Sequence, residues 1–193
     1  MQLAARYIAT SMLIMLFGLG TRSAETEPGD EANNALPPFG HTFFCLRYPR
    51  DCERTASTEA LPVSLAARWH KMNLVNTSVN AAIAPRADPD QVNTHWLIAP
   101  PEGDCNDYAV TKRHGLLRAG WPSSSLLLAE VTLLSTGEHH LVLIVKGADA
   151  DWVLDNLKPN IETLAETRNE YAWDRIESAD NPRFWTNSFS GSI

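Results

Sequence analysis

Pro122 divides this chain into two patterns of hydrophobic spacing. Before it, Leu65, Trp69, Met72, Val75, Val79 and Ile83 recur at intervals of three and four. That spacing predicts a helix over 61–84 that buries one apolar stripe in the core. Pro62 suits its first turn, and Pro85 stops it. A second helix is expected from Cys105 to Ala119, with Asp104 as N-cap and Gly120, Trp121 and Pro122 ending it. Lys112, Arg113, His114 and Arg118 fall late in this helix, where positive charge complements the helix dipole. After Pro122 the period changes. "LLLAEVTLL" (126–134), "HLVLIV" (140–145), "WVLDNL" (152–157) and "YAWDRIE" (171–177) are apolar, partly β-branched runs that read as strands. Helices followed by strands predict an α+β domain with an antiparallel sheet. At 193 residues the chain is long enough for one domain with a real core.

The N-terminus has a different character. Arg6 is followed by the uncharged apolar run "YIATSMLIMLFGLG" (7–20) and small residues at Thr21, Ser23 and Ala24. This is the layout of a secretory signal peptide over 1–24, the run being short for a membrane span. The alternative is an uncleaved anchor, the one case in which the chain would meet a membrane. Residues 25–40 mix acids, Pro and Gly without periodicity, as a flexible leader does. Removing 1–24 takes away Arg6 and Arg22 and leaves 14 basic residues against 23 acidic, a balance of −9. With no basic stripe, nucleic acid is a poor partner.

Three cysteines remain: Cys45, Cys52 and Cys105. In an exported protein an odd count suggests one disulfide and one free thiol. Cys45 and Cys52 are the candidate pair, seven apart in "FCLRYPRDC", which leaves Cys105 as the odd thiol. A zinc site is the rival reading, but no CxxC pair accompanies them.

Cys105 stands in "EGDCNDYAVTK" at the start of the second helix. A thiol there meets the helix's positive end and unpaired N–H groups, which favour the reactive thiolate and can hold an oxyanion. Asp104 and Asp107 oppose that, so a nearby histidine is required. His41, His70, His95 and His114 suit solvated or structural roles. His139 and His140 open an otherwise apolar strand, an odd place for imidazoles. If Lys146 faces Asp151 across the following turn, Val142 faces Asp155 and His140 faces Leu157. His140 and Asp155 then become diagonal neighbours on one face; a slip of one residue gives Asp155 to His139 instead. Asp would orient His, His would take the thiol proton, and Cys would attack a carbonyl.

At this point the sequence resembles the bacterial transglutaminase-like cysteine peptidases. "GDCNDYAVTKRHGLLRAGWP" (103–122) is similar to the family's nucleophile block. "HLVLIV" from His140 is similar to its histidine strand, and "VLDN" (153–156) to its aspartate strand. "FCLRYPRDC" (44–52), "VNTSVNAAIAP" (75–85) and "NPRFWTN" (181–187) also resemble family segments, so the likeness covers residues 41–187 in order and leaves 188–193 as a tail. It implies a papain-like, transglutaminase-type core with Cys105 as nucleophile, His140 as base and acid, and Asp155 as its orienter. It further implies a periplasmic or secreted enzyme acting on a protein or peptide, with surface adhesins as the substrates of the best-known relatives. Those relatives carry an acid after the cysteine and bind calcium near the site. Here Asn106 stands in that place. No cofactor is required on this reading, and calcium is an optional ligand weakened by the lost carboxylate, with Asp104 and Asp107 as candidate donors. The rival readings are acyl transfer to an amine and a catalytically silent binding module of the same fold. Trp96, just upstream, is read as core packing rather than pocket lining.

Overall fold

The structure is a computed structural model, described over residues 34–86 and 95–187. The expected signal segment (1–24), the first part of the leader (25–33) and the tail (188–193) lie outside the described residues. Among the described residues no helix is long and apolar enough to cross a membrane.

The fold is α+β, helices first and an antiparallel sheet after them. The leader expectation does not hold over its last residues. Asn34–Ala35 form a short strand, β1, and Phe39 opens helix α1 (Phe39–Arg47). They are ordered because β1 pairs with β9 (Trp185–Asn187), while α1 buries His41, Phe44 and Cys45. A 3-10 turn over Pro49–Cys52 follows, tied back by a Cys45–Cys52 disulfide.

Helix α2 (Leu65–Ala82) starts after Ser64, whose hydroxyl accepts from the Ala67 N–H. It is shorter than 61–84, and its stripe is not uniformly core. Met72 and Ile83 are buried, but Leu65 and Trp69 are exposed, at 68% and 42%. The reason is tertiary. Only the later turns of α2 face α3 (Cys105–Arg118), where Val75 lies against Gly115 closely enough that an added Cβ would sit 3.3 Å away. The earlier turns extend past α3, and Trp69 rests on Trp152 with ring centroids 4.8 Å apart.

Two residues of parallel pairing, β2 (Ala84–Pro85) with β3 (Glu102–Gly103), deliver the chain to α3. Gly120, at φ 94°, ends α3 in the left-handed region, and a side chain there would strike the Leu61 backbone. The remaining strands are β4 (Leu126–Leu133), β5 (His139–Val145), β6 (Trp152–Leu154), β7 (Glu162–Thr163) and β8 (Tyr171–Glu177). Their order in the sheet is β1-β9-β8-β4-β5-β6-β7, all antiparallel.

The apolar runs in β4 and β5 are continuous because both faces of the sheet are covered. Leu126, Leu128, Leu141 and Leu143 pack with Val110 and Leu116 of α3, and with Phe44 and Trp185. Leu127, Val131, Val142 and Ile144 pack on the other side with Leu164, Tyr171 and Ile176. Each fully buried leucine contributes about 1.5–3 kcal/mol.

Two of the four late cations of α3 do not serve the dipole at the surface. Lys112 and Arg113 are buried. Arg113 is held by Glu177 at 3.0 Å, by the Leu126 carbonyl at 3.1 Å and by the Asp51 carbonyl. Glu177 also accepts from the Leu128 N–H at 3.0 Å, so this buried ion pair is hydrogen-bonded on both sides.

Candidate active site

The geometry around Cys105 is fixed by the loop that precedes it. Asp104 caps α3, its carboxylate accepting from the Asn106 N–H at 2.9 Å. Asp107 reaches back, Oδ2 accepting from the Asp104 N–H at 3.2 Å, which completes a capping box. Its Oδ1 accepts from the Leu97 N–H at 2.7 Å and pins the incoming loop. Gly103 allows this closure, since a Cβ there would lie 2.7 Å from the Asp107 Cβ. Burial pushes the Asp107 carboxyl up to about 6, against the hydrogen bond from Leu97. Tyr108, one turn into α3, donates to the Ile83 carbonyl at 2.5 Å and ties the helix to the end of α2. The result is a half-buried thiol at the first position of a helix whose entry is held from both sides.

The β5–β6 hairpin has the register in which paired numbers sum to 297: Leu143 with Leu154, Ile144 with Val153, Val145 with Trp152. His140 therefore shares its face with Val142 and Ile144, and Asp155, just past β6, shares it with Val153. His140 is 6% exposed, and its Nε2 donates to Asp155 Oδ1 at 2.7 Å. The ring's other nitrogen, Nδ1, is left for the thiol. His139 points to solvent and lies 3.9 Å from Asp174.

Asp155 is 2% exposed and fully engaged. Besides His140, it accepts from the Leu157 N–H at 2.9 Å and from the Tyr171 hydroxyl at 2.5 Å. Burial alone would raise its carboxyl, but His140, Leu157 and Tyr171 outweigh it and hold the group down at about 2. Burial alone would likewise lower the His140 ring. Hydrogen bonding to Asp155 and Cys105, with their negative charge, reverses this and raises it to about 9. Tyr171 is pushed up by burial and then by the Asp155 charge.

Cys105, His140 and Asn156 open on one cleft of about 640 Å³, walled by Trp96, Arg86 and Leu157. Trp96 is core as expected, 3% exposed among Phe44 and His41, and one edge of it also lines this cleft. A second, more apolar groove of about 560 Å³ lies between Leu65, Trp69, Trp121 and Trp152, and none of Cys105, His140 or Asp155 lines it.

A helix-start thiol, a buried imidazole and a carboxylate around one cleft are the parts of thiol acyl chemistry. Comparison with known proteins gives the family. Residues 31–191 match the model of the bacterial transglutaminase-like cysteine proteinases. The chain belongs to that family. Comparison with curated proteins finds no match. Among solved structures, calcium-bound LapG of Legionella pneumophila is similar at 22% identity and a TM-score of 0.55, over 64% of this chain and 71% of that one. EGTA-treated LapG is similar at 21% identity and a TM-score of 0.55, over 65% and 69%. At this identity the likeness is one of fold. The family makes the chain a cysteine peptidase with a transglutaminase-like fold.

The calcium-bound form of that neighbour raises the question of a cation beside Cys105. Calcium takes six to eight oxygen ligands. Here both oxygens of Asp107 are engaged by backbone N–H groups, Asp104 is committed as the helix cap, and Asn106 brings a neutral amide. Asp104 and Asp107 are thus the carboxylates this turn offers a hard dication, with a neutral amide between them, which makes for a weak donor set. His41, Cys45 and Cys52 also bring ligand atoms together, within 4.8 Å, but the two sulfurs are bonded to one another, so they form no zinc site.

Tyr171 was not singled out in the sequence. It opens a strand in which aromatic residues read as packing, and nothing in its neighbourhood marks it as a carboxylate partner. His41 proves structural, buried and accepting from Trp185 Nε1 at 3.3 Å.

Proposed function

We propose that this cysteine peptidase is exported and hydrolyses a peptide bond in a periplasmic or surface protein, using Cys105 as nucleophile, His140 as acid and base, and Asp155 as the group that orients His140. The observation that carries this reading is the 2.7 Å bond between His140 Nε2 and Asp155, which leaves Nδ1 for Cys105 at the head of α3. His140 Nδ1 takes the thiol proton as Sγ bonds to the carbonyl carbon. The Cys105 N–H, at the first helical position and without an intrahelical partner, stabilises the oxyanion. The C–N bond then breaks, the proton passes from His140 to the leaving amine, and a thioester remains. Water, deprotonated by His140, cleaves the thioester to a carboxylic acid and restores the thiol.

An adhesin-like surface protein is the proposed substrate class, supported by the likeness of the sequence segments to those of adhesin-cleaving relatives. The export reading rests on the apolar run 7–20 and on the Cys45–Cys52 pair, which suits an oxidising compartment. Acyl transfer would use the same thioester, with an amine replacing water. Incubating the purified protein with candidate surface proteins, with and without a labelled amine, separates the two. Shortened product, lost in Cys105→Ala, supports hydrolysis; incorporated amine with no shortening contradicts it.

A further inference from the structure

Lys112 lies on the face of α3 that begins with the nucleophile. Cys105, Ala109, Lys112 and Leu116 follow one another at spacings of four, three and four, and the last three are buried. Its side chain is fully buried, and its Nζ has no hydrogen-bond partner among the described residues. A lone amine in such a place is costly, and an apolar residue would stabilise the fold more. Burial lowers its proton affinity to about 7, and the charge of Asp155 opposes that fall.

Other underused polar groups gather on the same segment. Asn80 donates Nδ2 to the Asp155 carbonyl at 3.1 Å, and its Oδ1 is buried and unpaired. Asn156, the next residue, has a buried unpaired Oδ1. Asn76, one turn before Asn80, is fully buried with both amide atoms unpaired. Polar side chains with unpaired buried atoms thus lie on α2 (Asn76, Asn80), on α3 (Lys112) and on the Asp155 loop, where Asn156 also borders the cleft. Buried polar groups without partners are rare enough in folded proteins to call for a reason.

We propose that Lys112 is a positioning residue of this site, its buried amine acting on the Asp155 carboxylate and, through it, on the charge of the His140 ring. This rests on the triad reading above. The charged and titratable groups involved come from several elements. Asp155 follows β6, and His140 on β5 and Tyr171 on β8 bond to it. Lys158 also feels Asp155 but is paired to Glu170 at 2.5 Å and Glu162 at 3.7 Å. α2 brings the uncharged Asn76 and Asn80, and on α3 Arg113 is turned to Glu177. Since His140, Leu157 and Tyr171 dominate Asp155, Lys112 supplies a smaller, adjustable field. Protonated, it weakens the hold of Asp155 on the imidazolium; neutral, it leaves that hold at full strength.

The test is Lys112→Met in the full chain, with Cys105 alkylation by iodoacetamide followed against pH. The variant should match wild type at pH 8.5, where the amine is neutral, and differ from it by about threefold or more at pH 6. The same ratio to wild type at both values, in a folded variant, overturns the proposal, because a purely structural effect would not depend on pH. Should Lys112→Met not fold, the ¹³Cε resonance of Lys112 is titrated in wild type and Asp155→Asn. A midpoint that falls in the variant supports the coupling, and an unmoved midpoint overturns it. His140→Ala separates this from the triad. If His140→Ala alkylates slowly while Lys112→Met behaves as wild type, only the Lys112 proposal falls. If His140→Ala also behaves as wild type, both fall.

Discussion

Tyr171 donates its hydroxyl to Asp155 Oδ2 at 2.5 Å, on the carboxylate oxygen opposite the one that His140 holds at 2.7 Å. The carboxylate is thereby fixed in rotation, and the imidazole with it. Tyr171→Phe removes a hydrogen bond to a charged group, worth about 1.5–3 kcal/mol. Alkylation of Cys105 at pH 7 should slow by about tenfold or more, with far-UV circular dichroism unchanged.

The His140–Asp155 pair should also shape stability against pH. His140 is raised to about 9, so its contribution is fully present below the ordinary imidazole value of 6.5 and is lost as pH rises through about 9. Asp155 is lowered to about 2, so its contribution is present above the ordinary carboxyl value of 3.8 and is lost as pH falls through about 2. The unfolding free energy of wild type relative to His140→Gln/Asp155→Asn should therefore be greatest between about pH 4 and 6.5 and narrow on both sides. Urea unfolding at a series of pH values measures it.

Much of this site could be read from residues alone, and the reasons are local. The α3 ends were legible because Asp104 and Gly120 each act within one turn of the helix. The β5–β6 register was legible because a short turn between Lys146 and Asp151 permits few pairings. The outward turn of Leu65 and Trp69 was not, since it depends on where α2 meets α3. Two-residue strands such as β1 and β2 carry no periodicity to read. Lys112 misled for a related reason: its charge argued for the surface, while its spacing from Ala109 and Leu116 placed it on the buried face.

The Cys45–Cys52 bond closes a short loop, at a sequence separation of 7, around the turn that follows α1. Cys52 is 1% exposed. Chain entropy for a loop of this size gives about 2–3 kcal/mol. The Cys45→Ser/Cys52→Ser variant should lose about that much in denaturant unfolding.

Calcium removal tests the donor set beside Cys105. Because Asn106 is neutral and both oxygens of Asp107 already accept backbone N–H groups, calcium would be held weakly here, and EGTA should leave the alkylation rate of Cys105 unchanged within about twofold. A loss of reactivity restored by added calcium, and by no other divalent ion, would show calcium held firmly beside Cys105.

On the proposed mechanism His140 activates Cys105. Iodoacetamide labelling of the purified protein from pH 5 to 10, in wild type and His140→Ala, tests it most directly. Wild-type Cys105 should react well below the pH a free thiol requires, near 8.5, and His140→Ala should lose this advantage. Equal reactivity in the two proteins across that range would contradict it.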